Sequence, residues 1–159
     1  MTYLLDTSIF INGWRKHYHP EVFPAYWSAL DALIENRKVL SCEAVYDELQ
    51  QQRDELADWA KERKRIFRSP TEDTLLELQG VMREFPNFAA QGGSRNAADP
   101  YLIAHARISK AVVVTDEVKL PAVRLTKPPK IPNVCDALGI RWMPGVDFLR
   151  ANNIVFREI

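Results

Sequence analysis

The run Ala111-Val112-Val113-Val114-Thr115 constrains the fold more than any other feature of this sequence. Its residues are apolar and mostly β-branched without alternation, which indicates a strand covered on both faces, as in a parallel sheet. Tyr3-Leu4-Leu5, Val39-Leu40 and residues 140–143 are further short strand candidates. Stretches with helical periodicity separate them, and strands that alternate with helices predict a mostly parallel sheet between two helical layers.

The helical segments follow from apolar spacing and from capping residues. We predict helices over 24–36, over 42–67 with a break or bend between Gln50 and Asp54, and after the start signal Ser69-Pro70-Thr71-Glu72, where the serine is the expected cap. Further helices are predicted from Asp99, from Pro132 and from Pro144 onward. The predicted fold class is therefore three-layer α/β/α, with residues 1–159 forming one domain.

Composition and the context of the cysteines indicate the cellular compartment. No apolar run approaches the roughly 18 residues of a membrane span, and the N-terminus lacks the basic start and cleavage site of a signal peptide. Cys42 and Cys135 lie in apolar contexts without partner spacing, which is typical of reduced core thiols and of a cytoplasmic protein.

Charge is balanced overall but unevenly distributed. The formal net charge of zero argues against tight nucleic-acid binding through bulk charge. Yet the segment from Ala104 to Ile131 holds six basic and two acidic residues, and a second basic cluster comprises Lys61, Arg63, Lys64, Arg65 and Arg68. Each cluster is compatible with a solvated face or with a surface that contacts nucleic acid.

Acidic residues follow the ends of the predicted strands. Asp6 comes directly after the first strand, and Asp116-Glu117 follows the strand at 111–115. Asp99 begins a crossover helix that runs antiparallel to the sheet, and Glu48 lies in a helix that follows Val39-Leu40. Since ligands bind beyond the carboxyl ends of parallel strands, all these acids are expected at one edge of the sheet.

Taken alone, each acid has a simpler interpretation. Asp99 before Pro100 is a good helix cap, Asp6 and Asp116-Glu117 suit turns, and Glu48 suits a helix surface. Together, four or five converging carboxylates cannot all stay ionised without compensation. Carboxylate oxygens are hard ligands that suit Mg²⁺ or Mn²⁺, and these ions activate water for phosphodiester hydrolysis.

Several motifs, in this order, span nearly the whole chain and resemble one family. They are Tyr3-Leu4-Leu5-Asp6-Thr7-Ser8-Ile9-Phe10-Ile11-Asn12, Val45-Tyr46-Asp47-Glu48-Leu49, Ala98-Asp99-Pro100-Tyr101-Leu102-Ile103-Ala104-His105-Ala106, Val112-Val113-Val114-Thr115-Asp116-Glu117 and Lys130-Ile131-Pro132-Asn133-Val134-Cys135. The sequence resembles PIN-domain proteins, close to the VapC-type toxin nucleases, and most of all a PIN-like subgroup known as a domain of unknown function, DUF4411.

The resemblance implies a specific set of site residues. Asp6, Glu48 and Asp99 match three of the family's metal-binding acids. The fourth is Glu117 by its two-residue offset from Thr115, with Asp116 as the alternative. The resemblance also implies residues that orient the carboxylates or a bound water, namely Thr7, Ser8, Asn12 and Thr115. For each of them alone, local hydrogen bonding in a turn is the simpler interpretation.

The resemblance also implies an activity and partners. Such proteins are endoribonucleases, often the toxin of a type II toxin–antitoxin pair that an antitoxin protein inhibits, and a homodimer is compatible with the family. RNA phosphates would be bound by basic side chains near the acids, namely Arg15, Lys119, Arg124, Lys127 and Lys130.

Two other functions compete with this prediction. One is a catalytically weak RNA-binding module of the same fold, whose metal site does not support turnover. The other is a phosphatase with Asp6 as nucleophile, which needs a second acid two residues later, where Ser8 stands. We predict a Mg²⁺- or Mn²⁺-dependent endoribonuclease.

Overall fold

A single parallel sheet forms the centre of the protein in the computed structural model, which describes residues 1–88, 98–121 and 127–157. The spatial order of its five strands is β3-β2-β1-β4-β5, and every neighbouring pair is parallel. The strands are β1 (Tyr3–Leu5), β2 (Val39–Cys42), β3 (Phe67–Arg68), β4 (Val112–Val114) and β5 (Trp142–Met143). The predicted α/β class is confirmed, and the sheet is wholly rather than mostly parallel.

The middle of the sheet is buried on both faces. All residues of β1 and β4 are buried, and Leu4 lies opposite Leu40 on one side and Val113 on the other. The central position belongs to β1 and not, as predicted, to the 111–115 segment. That segment still lies between two strands, so its unbroken apolar character has the predicted cause.

Helices flank the sheet and connect its strands. The described residues contain eight α-helices: α1 (Thr7–Asn12), α2 (Pro24–Glu35), α3 (Glu43–Gln50), α4 (Glu55–Glu62), α5 (Glu72–Glu84), α6 (Asp99–Ser109), α7 (Ile131–Leu138) and α8 (Gly145–Ala151). A short π-helical segment, Gly13–His17, continues α1. None of the helices within the described ranges is long and apolar enough to cross a membrane.

The predicted interruption between Gln50 and Asp54 is confirmed. Two helices lie on either side of it, and Asp54 caps the second by accepting from the Ala57 amide at 3.0 Å. Two other predicted boundaries were wrong. Phe67 belongs to β3, which is too short to show a strand pattern. Thr71, not Ser69, caps α5, because Thr71 and Thr74 exchange side-chain and backbone hydrogen bonds.

Candidate active site

The site begins where β1 ends, at the carboxyl edge of the sheet. The backbone amide of Asp6 still donates to the carbonyl oxygen of Val114 at 3.0 Å, which fixes this residue beside the end of β4. The side chain is buried, with 2% of its surface exposed. Asp6 is thus placed by the sheet itself, as strand-end geometry predicts.

Three donors hold the Asp6 carboxylate. The Thr7 amide donates to Oδ1 at 2.7 Å, and the hydroxyls of Ser8 and Thr115 donate to Oδ2 at 2.8 and 2.9 Å. Burial raises the pKa of Asp6, and these hydrogen bonds oppose that rise. Asp6 therefore caps α1 and also serves as a fixed acceptor in the site, so its capping role does not exclude a functional one.

Thr7 links Asp6 to a second acid. Its hydroxyl donates to Glu48 Oε2 at 2.6 Å, while its amide binds Asp6. The other Glu48 oxygen accepts from the backbone amide of Ala98 at 3.1 Å, immediately before Asp99. Burial raises the pKa of Glu48, and the charge of Asp6 adds to the rise. Glu48 is therefore a half-buried side chain of the site rather than a surface acid of α3.

Asp99 also has a strongly perturbed carboxyl group. It is the first residue of α6 and is 6% exposed, but Ala98 is the cap residue, and the Asp99 side chain makes no capping hydrogen bond. Burial, followed by the charges of Asp6, Glu117 and Glu48, raises its pKa to about 9, and Lys130 opposes the rise. A simple capping role does not account for this residue.

The side chains of the adjacent residues Asp116 and Glu117 point in different directions. Glu117 Oε2 accepts from the Ile131 amide at 2.8 Å, and its pKa is raised by burial and by the charge of Asp6. Asp116 is exposed, and its Oδ1 accepts from the Gly145 amide at 2.9 Å at the start of α8. The structure thus brings Glu117, and not Asp116, next to the other acids.

The polar residues predicted to orient the carboxylates fall into two groups, those that contact an acid of the site and one that does not. Ser8 and Thr115 contact Asp6, and the Thr115 hydroxyl also accepts from the Glu117 amide at 3.1 Å. Asn12 is the last residue of α1, and its side chain makes no hydrogen bond with any residue that the structure describes. Thr7, Ser8 and Thr115 therefore connect the carboxylates, whereas Asn12 does not.

Two of the basic residues predicted to bind RNA phosphates already form salt bridges within the protein. Arg15 pairs with Asp54 at 2.9 Å, and Lys119 pairs with Asp136 at 2.6 Å. Lys127 is exposed, and Arg124 lies outside the described residues. Lys130 is the basic candidate whose charge lowers the pKa values of Asp99 and Glu117, so it lies near the acids.

The second basic cluster is largely neutralised by ion pairs. Arg63 forms two hydrogen bonds with Asp31 at 2.5 and 2.8 Å and lies over the Trp59 ring, Lys61 pairs with Asp58, and Arg65 pairs with Glu35. Of the two interpretations left open by the sequence, these contacts favour a solvated face.

The acids fit a divalent cation in chemistry but do not form a preassembled cage. Carboxylate oxygens are the ligands that Mg²⁺ and Mn²⁺ prefer, and a cation would relieve the repulsion that helps to raise the pKa values of Glu48, Asp99 and Glu117. Within the described ranges, however, no three His, Cys, Asp or Glu side chains stand close enough together to hold a metal ion. Ligation by three of these acids therefore requires side-chain rotation.

Sequence comparison identifies the family. Residues 3–156 match the family described as Domain of unknown function (DUF4411). The chain belongs to this family. No curated protein matches the sequence. The match agrees with the DUF4411 resemblance of the motifs, and the family description itself assigns no activity.

Structure comparison shows the fold. The DUF4411 chain is similar to a chain in the crystal structure of VapBC2 from Rickettsia felis bound to a DNA fragment from their promoter. The TM-score is 0.54 at 16% sequence identity, and the match covers 91% of this chain and 98% of that chain. The PIN-like arrangement of sheet and helices predicted from the motifs is confirmed.

The sequence motifs of the DUF4411 chain include one residue whose role sequence reasoning missed. Asn133 Oδ1 accepts from the amides of Leu120 and Lys130 at 3.0 and 3.2 Å, and its Nδ2 donates to the Leu120 carbonyl at 2.9 Å. These bonds hold the chain after Glu117 against the start of α7, where Ile131 binds Glu117. The motif at 130–135 includes Asn133 and could have pointed to it. Its role depends on contacts with Leu120, however, and these residues are apart in sequence.

We therefore expect Asn133→Ala to impair the site without unfolding the protein. Loss of three hydrogen bonds frees the segment that positions Glu117, and such supporting changes cost about 10–100-fold in activity or metal affinity. The Mn²⁺-dependent rise in melting temperature measures the effect. Asn152→Ala is the matched control, since it removes one local bond to the Phe148 carbonyl in α8. Equal losses in the two variants would contradict the positioning role.

Proposed function

We propose that this protein is an endoribonuclease that hydrolyses RNA phosphodiester bonds with Mg²⁺ or Mn²⁺. The observation that carries the proposal is the set of four carboxyl groups with raised pKa values at the carboxyl edge of a parallel sheet, namely Asp6, Glu48, Asp99 and Glu117. Fold similarity to a chain of VapBC2 and the PIN-like sequence motifs support the same function.

The proposed roles of the residues follow from their contacts. Asp6, Glu48, Asp99 and Glu117 would hold the cation, which supplies charge stabilisation and an activated water when bound. Thr7, Ser8 and Thr115 orient the Asp6 and Glu48 carboxylates. Asp99 keeps its proton at neutral pH and gives it up when its charge is compensated, because its pKa is about 9. Lys130 is the basic group best placed to contact a phosphate near the acids.

A role as the toxin of a toxin–antitoxin pair is part of this proposal. The similar solved chain belongs to VapBC2, which was crystallised with a DNA fragment from their promoter. We propose an antitoxin protein encoded beside this gene, and a cytoplasmic location for both. Co-expression with the neighbouring open reading frame tests this, because a cognate antitoxin would copurify with the protein and suppress its RNA cleavage.

One observation favours a second candidate, a catalytically weak RNA-binding module. The acids of the described residues do not stand together as a ready metal cage. In this alternative the protein binds RNA, but the metal site is too weak for turnover. Cleavage and binding must therefore be measured separately.

The proposal is tested by incubating purified full-length protein with varied RNAs in Mg²⁺ or Mn²⁺, with EDTA as the metal-free comparison. We expect endonucleolytic cleavage that EDTA abolishes and that the Asp6→Asn variant lacks, because EDTA removes the cation and the substitution removes one of its proposed carboxylate ligands. Cleavage that survives in Asp6→Asn would exclude the proposed site. RNA binding without cleavage by the wild-type protein in either metal would instead support the binding module.

A further inference from the structure

A second polar cleft opens at the opposite edge of the sheet. Its volume is about 370 Å³, and it lies between the end of α6 and the residues that precede β5. Three basic side chains line it, those of Arg107, Lys110 and Arg141, and none of its lining residues is acidic. A cleft of this kind suits an anion.

The cleft is well separated from the acids. Lys110 and Arg141 precede β4 and β5, whereas Asp6 and Glu117 follow strands, so the two sites lie at opposite ends of parallel strands. Helix α6 spans this distance, with Asp99 at its first residue and Lys110 directly after its last. Eleven helical residues at about 1.5 Å each give a separation of about 16 Å.

Two of the three cations lack a counter-charge among the residues that the structure describes. Arg107 pairs with Glu77 of α5 at 3.2 Å. Lys110 and Arg141 are exposed and form no salt bridge with any residue in the described part of the chain. In a protein whose formal net charge is zero, this cleft is therefore a local excess of positive charge.

Lys110 also occupies an unusual backbone position for a lysine. It ends α6 with φ 57° and ψ 28°, the left-handed conformation that favours glycine or asparagine. A cation at a helix C-terminus is favoured by the helix dipole, which is one reason for a basic residue here. Arg107 lies in the last turn of α6 and has the same explanation, but the dipole does not explain why Arg141 lines the same cleft.

We propose that this cleft binds a phosphate of an RNA strand whose scissile bond lies at the acidic site, an inference that rests on the proposed function. Lysine and arginine side chains bind phosphate oxygens by charge-assisted hydrogen bonds. A separation of about 16 Å corresponds to about five nucleotides at 3.4 Å each. The cleft thus favours long substrates by holding RNA several nucleotides from the point of cleavage.

Binding of a labelled single-stranded RNA of about 12 nucleotides in EDTA, measured by fluorescence anisotropy, tests the cleft without requiring cleavage. We expect Lys110→Gly and Arg141→Gln each to weaken binding about fivefold near 0.1 M salt and to lower the salt slope by about 0.7, the value for one lost phosphate contact. Lys110→Gly introduces a residue that favours the left-handed backbone conformation, so the melting temperature of this variant should not fall. With Mg²⁺ present, KM for this RNA should rise by the same factor while kcat is unchanged.

Arg68→Gln is the matched control, because Arg68 is exposed on β3 and forms no salt bridge with another described residue. An equal loss of RNA affinity in Arg68→Gln would overturn the proposal, since bulk charge would then explain the effect. Weaker binding of inorganic phosphate, but not of RNA, in Lys110→Gly would also overturn it and assign the cleft to a free phosphate. Normal RNA binding by both cleft variants alongside normal cleavage would exclude the cleft and leave the proposed function intact.

Discussion

Substitution of Glu117 by glutamine is expected to lower kcat/KM for RNA by at least about a hundredfold. The glutamine oxygen still accepts from the Ile131 amide, so the fold and the position of the side chain are retained. What is lost is one negative charge among the four acids, and electrostatic effects of this kind are worth several kcal/mol in a metal-assisted hydrolysis. Initial rates at subsaturating RNA, with matched circular dichroism spectra, measure the loss.

The neighbouring substitution Asp116→Asn supplies the comparison. Its asparagine oxygen replaces the carboxylate that accepts from Gly145, outside the acid set, and we expect activity within about threefold of wild type. An inactive Asp116→Asn beside an active Glu117→Gln would reverse the assignment of the fourth acid. Loss of activity in both variants, with intact folding, would mean that both neighbours serve the reaction.

Asp99→Asn is expected to abolish cleavage and, without metal, to stabilise the protein. In the native state burial, followed by the charges of Asp6, Glu117 and Glu48, raises the pKa of Asp99 to about 9. At neutral pH the folded protein therefore has to hold a proton that the unfolded chain releases, which lowers stability. Asparagine does not titrate, so we expect the free energy of unfolding to rise by at least about 1 kcal/mol, or the melting temperature by about 2–4 °C. Thermal unfolding in EDTA measures the gain, and added Mn²⁺ should stabilise wild type more than Asp99→Asn.

The same carboxyl group sets the direction of the pH dependence. Its folded-state pKa of about 9 exceeds the ordinary value of 3.8, so the folded protein binds the proton more tightly than the unfolded chain does. The contribution of Asp99 to metal-free stability is therefore fully present below about 3.8 and is lost as the pH rises toward about 9. Urea unfolding in EDTA at about pH 5 and about pH 8 should show this fall, and Asp99→Asn should reduce it. A wild-type protein that becomes more stable over this range would contradict the burial of Asp99 among the acids.

Strand ends and motifs were sufficient to predict where the acids lie. Asp6 and Glu117 are set by β1 and β4, whose apolar runs are readable because both strands are buried on two faces. Asp99 follows from the direction of a crossover helix, and α6 has that direction. In each case a local pattern and one rule of parallel sheets determine the position.

Side-chain partners could not be predicted in the same way. Lys119 and Arg15 were expected to face RNA, yet they pair with Asp136 and Asp54, which are 17 and 39 residues away in sequence. The edge strand β3 has two residues, fewer than any periodicity needs. These contacts depend on which surfaces the fold brings together, and no local pattern encodes that.

The sequence separations within the site have a consequence for synthesis of the protein. The hydrogen bond from Thr115 to Asp6 spans 109 residues, and the bond from Thr7 to Glu48 spans 41. At about 5–20 residues per second, the ribosome makes the partner of Asp6 roughly 5–20 s after Asp6 itself. If the chain has the proposed ribonuclease activity, its acid set is incomplete until Glu117 has been synthesised, so up to that point it emerges beside ribosomal RNA and messenger RNA in an inert form.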